Sequence, residues 1–219
     1  DGWALLIRIK GGIVRGSVYG AAAFAGASGD RLFIFTGGSI NGWVAGGANG
    51  TQNSGGELYG STALYIGGTT EIGNSSGGTH VGGRTQQYGT NGADGGHVFG
   101  AGCGILPNNG NFQNGTVGRV DNSNIAITDN AHVWRDIHGG GNYGWVRDNG
   151  STNIFIGGNS IIGGIDGYGN VFGGSNNQQG QEVNITIKGG DVKGGVYGGS
   201  HSWGTINDNV TMNISGGLI

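Results

Sequence analysis

The sequence predicts an all-β fold: a right-handed parallel β-helix (β-solenoid) of about seven coils with Gly-Gly corners and variable loops. Three observations carry that expectation. The block Val183-Asn-Ile-Thr-Ile187, Lys188-Gly-Gly190, Asp191-Val-Lys-Gly194, Gly195-Val-Tyr-Gly-Gly199 matches Leu5 to Gly20 almost position for position. Gly-Gly pairs recur roughly every 30 residues, a spacing typical of repeat architectures. Glycine supplies 56 of 219 residues and proline only 1, without the strict every-third-residue spacing of collagen.

The first strand of each coil precedes its corner. Anchoring on Gly11-Gly12, Gly37-Gly38, Gly67-Gly68, a degenerate Asp129-Asn130, Gly157-Gly158, Gly189-Gly190 and Gly216-Gly217 puts Ile9, Phe35, Tyr65, Ile127, Phe155, Ile187 and Ile214 two places before the corner. Four places before it stand Ile7, Phe33, Ala63, Ile125, Asn153, Ile185 and Met212. Residues two apart on a strand share a face, so these form two inward ladders. Ala63 and Asn153 break the pattern, and Leu64 with Ile66, or Ile154 with Ile156, fits a one-residue slip or a fully covered strand better.

The second strand is short and carries Val14, Ile40, Thr70 or Ile72, Val133, Ile161 or Ile162, and Val192. The third holds Val18-Tyr-Gly, Val44-Ala-Gly-Gly, Val98-Phe-Gly, Ile137-His-Gly-Gly, Val171-Phe-Gly-Gly and Val196-Tyr-Gly-Gly, with Tyr19, Phe99, Phe172 and Tyr197 expected to stack. Variable loops then leave one edge of the coil, where a solenoid places its specificity. The interval from Gly67 to Asp129 is about twice the others, so residues 1–219 read as a single solenoid with an insertion within about 73–118 and a weak corner near Gly77-Gly78 or Gly82-Gly83. Coils stack because none can bury its apolar face alone, and right-handed crossovers are the default for parallel strands. A glycine-rich antiparallel sandwich would not explain Val-Tyr-Gly-Gly recurring at one phase, and the regular Ile/Val/Leu alternation argues against a disordered chain.

Charge and composition exclude several classes. A formal charge of -3 with no basic block argues against a nucleic-acid partner. No run approaches 18 apolar residues, so direct membrane insertion by a helix is not expected. The single Cys103 rules out an internal disulfide framework and reads as a buried small hydrophobe. The chain opens at Asp1 almost directly on a strand and ends on the same strand of the repeat, which reads as a processed product or an excised segment.

The segments Gly189-Gly-Asp-Val-Lys-Gly-Gly-Val-Tyr-Gly-Gly199 and Gly11-Gly-Ile-Val-Arg-Gly-Ser-Val-Tyr-Gly20 resemble the repeats of large bacterial surface and adhesin-like proteins that form right-handed parallel β-helices. The resemblance covers nearly the whole chain outside about 73–118, and it implies an extracellular, cell-wall or outer-membrane-associated setting. Pectate-lyase-like enzymes share that fold, but their calcium-binding carboxylates and basic residue have no matching motif here, so no catalytic residue is assigned.

Four groups of residues are candidates for chemistry. On a continuous strand His132, Trp134, Asp136 and His138 would point the same way, so His132, Asp136 and His138 are metal candidates weighed against a solvated outer face. Glycoside hydrolysis needs two facing carboxylates, for which Glu57, Asp136, Asp166 and Asp191 qualify only if loops bring a pair together. No cofactor is expected; calcium is allowed at Asp or Asn corners, though the Gly-Gly-x-Gly-x-Asp repeat of calcium β-rolls is missing. Trp43, Trp145, Trp203, Tyr143 and Tyr168 are candidates for stacking on surface glycans, weighed against core or capping roles. The position three before the corner reads Arg8, Ile34, Leu64, Ala126, Ile154, Thr186 and Asn213 and is expected to face outward. Its apolar middle, Ile34, Leu64, Ala126 and Ile154, marks a contact stripe covered either by the long insertion or by another chain, and lateral or end-to-end self-association is the expectation. The expected function is a non-enzymatic structural or adhesive segment of an extracellular surface protein or filament, acting through coil stacking and self-association. The alternative is a polysaccharide-binding or polysaccharide-degrading β-helix.

Overall fold

Among the described residues, strands of the same phase pair in parallel. The computed structural model describes residues 3–21, 25–49, 57–76, 95–103, 118–165, 167–175, 181–202 and 204–219. The longest row of strands is β1 (Trp3–Ile9), β5 (Asp30–Phe35), β9 (Thr62–Ile66), β12 (Ser123–Ile127), β15 (Ser151–Ile156), β18 (Glu182–Val192) and β20 (Val210–Leu218), each paired in parallel with the next. A second row, β2 (Ile13–Val14), β6 (Ser39–Ile40), β10 (Glu71–Ile72), β13 (His132–Val133) and β16 (Ile161–Ile162), ends on the far half of β18, which bends through the corner without a break. The third row is β3 (Val18–Tyr19), β7 (Val44–Ala45), β11 (Val98–Phe99), β14 (Ile137–His138), β17 (Val171–Phe172) and β19 (Val196–Tyr197). On a further side β4 (Ala27–Ser28) pairs with β8 (Leu58–Tyr59), and a Val120–Val146 bridge continues that wall. This is an all-β, parallel, solenoid-like stack. Among the described residues no helix is long and apolar enough to cross a membrane.

The core lies between the first three rows. Val44, Val98, Ile137 and Val171 of the third row meet Ile40, Ile72, Val133 and Ile162 of the second and the inward ladders of the first in one buried cluster. The choices left open for the second strand thus fall on Ile72 and Ile162. Each such aliphatic side chain taken from water contributes about 1.5–3 kcal/mol, which offsets the ordering of a glycine-rich backbone.

The first row corrects the expected register. Phe33 pairs with Leu64, Leu64 with Ile125, Ile125 with Ile154 and Ile154 with Ile185; Phe35, Ile66, Ile127, Ile156 and Ile187 form the parallel ladder. Leu64 and Ile154 are therefore core residues, 2% and 1% exposed, and Tyr65 and Phe155 take the outward positions assigned to them. The cause is the corner. Lys10-Gly11-Gly12 and Thr36-Gly37-Gly38 separate the first and second strands in their coils, and Lys188-Gly189-Gly190 is the same three-residue corner within β18. In the middle of the stack the connections are Gly67-Gly68-Thr69-Thr70, Thr128-Asp129-Asn130-Ala131 and Gly157-Gly158-Asn159-Ser160. The left-handed residue is the last of the shorter corner (Gly12, Gly38 and Gly190, φ 86, 86 and 85°) and the second of the longer (Gly68, Asp129 and Gly158, φ 59, 57 and 64°). A glycine pair marks a different phase in each, so anchoring on it shifts the strand by one residue.

A second glycine column has another cause. After the third strand, a Cβ on Gly46, Gly100 or Gly139 would collide with the carbonyl oxygen of Gly100, Gly139 or Gly173 in the adjacent coil. Here glycine is needed for close approach of backbones rather than for a left-handed turn. The stack expected beside it also forms: Phe99, His138, Phe172 and Tyr197 lie face to face with successive ring centroids 5.0 Å apart. Tyr19 is separated from Phe99 by Ala45. The weak corners proposed at Gly77-Gly78 and Gly82-Gly83 lie outside the described residues, while β11 falls inside the expected insertion.

Candidate functional site

The polar cluster forms where the backbone turns. Trp134 and Arg135 form a bend between β13 and β14, so the strand assumed from His132 to His138 does not exist and the two imidazoles part. His132 stays on β13, with its ring stacked on Trp134 at 4.0 Å and Nε2 2.6 Å from the Gly163 carbonyl oxygen. Asp136 and His138 enter the third row, where the in-register pairing of Val98-Phe99 with Ile137-His138 sets His97 level with Asp136 in the next coil.

His97, Asp136 and His138 are all buried, and one donor atom from each lies within 4.8 Å of the others. His97 Nδ1 is 3.9 Å from Asp136 Oδ2. Asp136 Oδ1 accepts bonds from the Gly169 amide (2.9 Å), the Asn170 amide (2.8 Å) and Asn170 Nδ2 (3.0 Å), which fixes the carboxylate. His138 is wholly buried between Phe99 and Phe172, and among the described residues neither of its ring nitrogens has a hydrogen-bond partner. Arg135 caps the group with its guanidinium 4.0 Å over Tyr168, whose edge meets the His97 ring. The exposed His201 sits 6.1 Å from His138, ring to ring.

Burial governs the electrostatics. It pushes His138 down to about 3, helped by the charge of His201. Burial, then the charges of His138, Arg135 and His201, hold His97 well below its ordinary range. Burial also raises the Asp136 carboxyl, against the bonds from Asn170 and Gly169. At neutral pH both imidazoles are therefore neutral and carry lone pairs, the form that ligates a metal. His97 was not singled out from the sequence. The signal was the shared phase of His97-Val98-Phe99-Gly100 and Asp136-Ile137-His138-Gly139 in the third strand.

The remaining candidates are dispersed. Glu57 is nearly buried and held by Arg119 and by Arg147 Nη2 at 3.1 Å. Burial alone would raise its carboxyl, but the bonds from Arg119, Tyr59 and Arg147 outweigh it and leave the group below its ordinary value, the opposite of what a general acid needs. Asp191 pairs with Lys193, and Asp166 lies outside the described residues. Trp43 and Tyr143, 7% exposed each, are interior residues rather than glycan platforms; Trp43 packs on Phe99, and the backbone of Tyr143 forms an antiparallel β-bridge with that of Cys103. Trp145 and Tyr168 are half-buried with the guanidinium of Arg119 or Arg135 over the ring. Trp203 is outside the described residues. Cys103 is buried as expected, and burial pushes its thiol far up.

The outer face of the first row carries a shallow groove of about 340 Å³. Tyr65, Ala126 and Phe155 succeed one another along it, and Ile34 precedes Tyr65 in register on the same row. Beside them an asparagine ladder crosses the coils: Asn153 Nδ2 donates to Asn124 Oδ1 (3.0 Å), and Asn184 Nδ2 to Asn153 Oδ1 (3.1 Å). At β20 the core ladders are uncovered: Ile185 and Ile187 are 0% and 1% exposed, whereas their partners Met212 and Ile214 are each 50% exposed.

Comparison of the chain with protein-family models, curated proteins and solved structures gives no match.

Proposed function

We propose that this chain is a non-enzymatic structural or adhesive segment of an extracellular surface protein or filament: a right-handed solenoid of about seven coils that acts by stacking its own coils and those of further copies. The observation that carries the reading is the half-exposed pair Met212 and Ile214. They continue the buried Ile185 and Ile187 ladders in register, on a strand that pairs only with β18 among the described residues. A strand presenting both unpaired backbone groups and an apolar ladder is a template for the next strand. At the other end Ile7 and Ile9 of β1 are only partly buried against the same cluster, so the two edges are complementary in chemistry. The likeness of the Val-Tyr-Gly-Gly repeats to bacterial surface proteins supports the extracellular setting.

Sedimentation over a concentration series, with micrographs of the same samples, tests the reading. Assembly that grows with concentration is expected, and Met212→Lys with Ile214→Lys should return the chain to monomer. A wild-type chain that stays sharply monomeric at high concentration would overturn it.

A second reading, polysaccharide binding, draws on the groove in which the Tyr65 and Phe155 rings lie beside the Asn124, Asn153 and Asn184 amides. Retardation of the chain in polysaccharide-containing gels, lost in Tyr65→Ala, would favour it over self-association.

A further inference from the structure

We infer that His97, Asp136 and His138 form a binding site for a divalent transition ion of the zinc class, which ties the coil of β11 to the coil of β14. The inference stands apart from the stacking proposed above.

The first argument is the placement of His138. The positions before and after it in the ring stack are Phe99 and Phe172, each with its centroid 5.0 Å away and its plane within 16° of parallel. Phenylalanine at position 138 would continue that stack with no polar atom to satisfy. Histidine instead buries two ring nitrogens that have no hydrogen-bond partner among the described residues. A buried polar atom without a partner is costly and rare in native proteins, and an ion is one of its recognised causes.

The second argument is what those nitrogens face. Asp136 is on the same strand approach, two residues back, and His97 is level with it in the neighbouring coil. Three amide bonds hold Asp136 Oδ1, so the carboxylate is anchored while Oδ2 lies toward His97. Anchoring of a ligating carboxylate by outer groups is the usual support of a metal site. Donors to a tetrahedral ion at about 2.0–2.2 Å stand roughly 3.4 Å apart. The three groups, within 4.8 Å of one another, reach that spacing by movements on the order of 1 Å about side-chain torsions.

The donor set selects the ion. Two imidazoles and one carboxylate suit zinc, cobalt, nickel or copper, whereas calcium and magnesium take oxygen donors in larger number. Exposed His201, beside both His138 and Phe172, marks the side from which an ion would approach. His132 is excluded, since its Nε2 is engaged with Gly163 and its ring lies on Trp134.

The test uses the full chain freed of metal by chelator and then titrated with zinc ion alone, followed by calorimetry and by metal analysis after desalting. One zinc per chain is expected, with a rise in melting temperature that magnesium does not produce, and cobalt ion should give the absorption of a low-coordinate site. His138→Phe continues the ring stack and should fold with an unchanged far-ultraviolet spectrum. Asp136→Asn keeps an acceptor for the Gly169 and Asn170 bonds. Each should weaken zinc binding by at least the ~10–100-fold seen when outer-shell partners are lost. His132→Gln should bind as wild type does. No zinc binding by the folded wild-type chain at millimolar metal would overturn the inference. So would unchanged affinity in folded His138→Phe or Asp136→Asn, or loss of binding in His132→Gln.

Discussion

The sharpest consequence of the shifted register is that two neighbouring residues on β15 should respond to truncation to very different extents, the smaller side chain costing more. Ile154 is 1% exposed and stands between Ile125 and Ile185, themselves 2% and 0% exposed. Replacing it with alanine removes buried carbon and leaves a cavity that rigid neighbouring coils cannot close, at a cost of about 2–5 kcal/mol. Phe155, although larger, faces outward and is only half-buried. Its truncation should cost about 1 kcal/mol, half or less of a full burial. For a chain of this size each kcal/mol shifts the melting temperature by about 2–4 °C. Ile154→Ala should therefore melt roughly 4–20 °C lower and Phe155→Ala roughly 2–4 °C lower, with both midpoints read from circular dichroism under one buffer and scan rate. If Phe155→Ala proved the more damaging, the inward ladder would run through position 155, and the assignment of corners would be wrong.

Two further outcomes follow from the same geometry. Gly46→Ala drives a methyl group into the Gly100 carbonyl and the Thr62 side chain, so it should destabilise by well over the ~1 kcal/mol of an ordinary glycine replacement. Gly11→Ala meets nothing within 4 Å at a position with no positive φ, and should be neutral or stabilise by about 0.4–1 kcal/mol; urea denaturation of the pair checks both. The third concerns pH. Because the folded Glu57 carboxyl lies below its ordinary 4.5, the unfolded chain binds more protons between the two values. Its contribution is then complete above about pH 4.5 and is lost as pH falls through the folded value. Melting temperatures taken from pH 7 to 3 should fall less steeply in Glu57→Gln than in the wild type, and parallel curves would show that Arg119 and Arg147 do not hold the group ionised.

The pairing of like with like was readable because period-2 alternation needs no knowledge of neighbours. Val18, Val44, Val98, Ile137, Val171 and Val196 share one phase in the sequence and one wall in the structure. The corner phase was not readable in the same way. A glycine pair can serve at the end of Lys10-Gly11-Gly12 or at the start of Gly67-Gly68-Thr69-Thr70, and only the positions of φ distinguish them. Asp129 shows the same limit: a non-glycine residue fills the left-handed position of its coil, and its Oδ2 accepts the Gly68 amide at 2.8 Å. Of the metal candidates, Asp136 and His138 do meet, but the partner His97 was not readable for a related reason: a continuous strand through Trp134 and Arg135 would set His132 beside them, whereas the chain bends there.

What the sequence by itself determined is the repeat, its parallel all-β class and the identity of most inward residues, since those depend on local periodicity and on the presence of glycine where coils must meet. What only the tertiary structure decided is which residues from different coils stand level. Tyr65 and Phe155 rather than Leu64 and Ile154 reach the surface, and His97 rather than His132 joins Asp136 and His138. Both outcomes follow from stacking, which aligns residues across coils by hydrogen-bond register, whatever their separation along the chain.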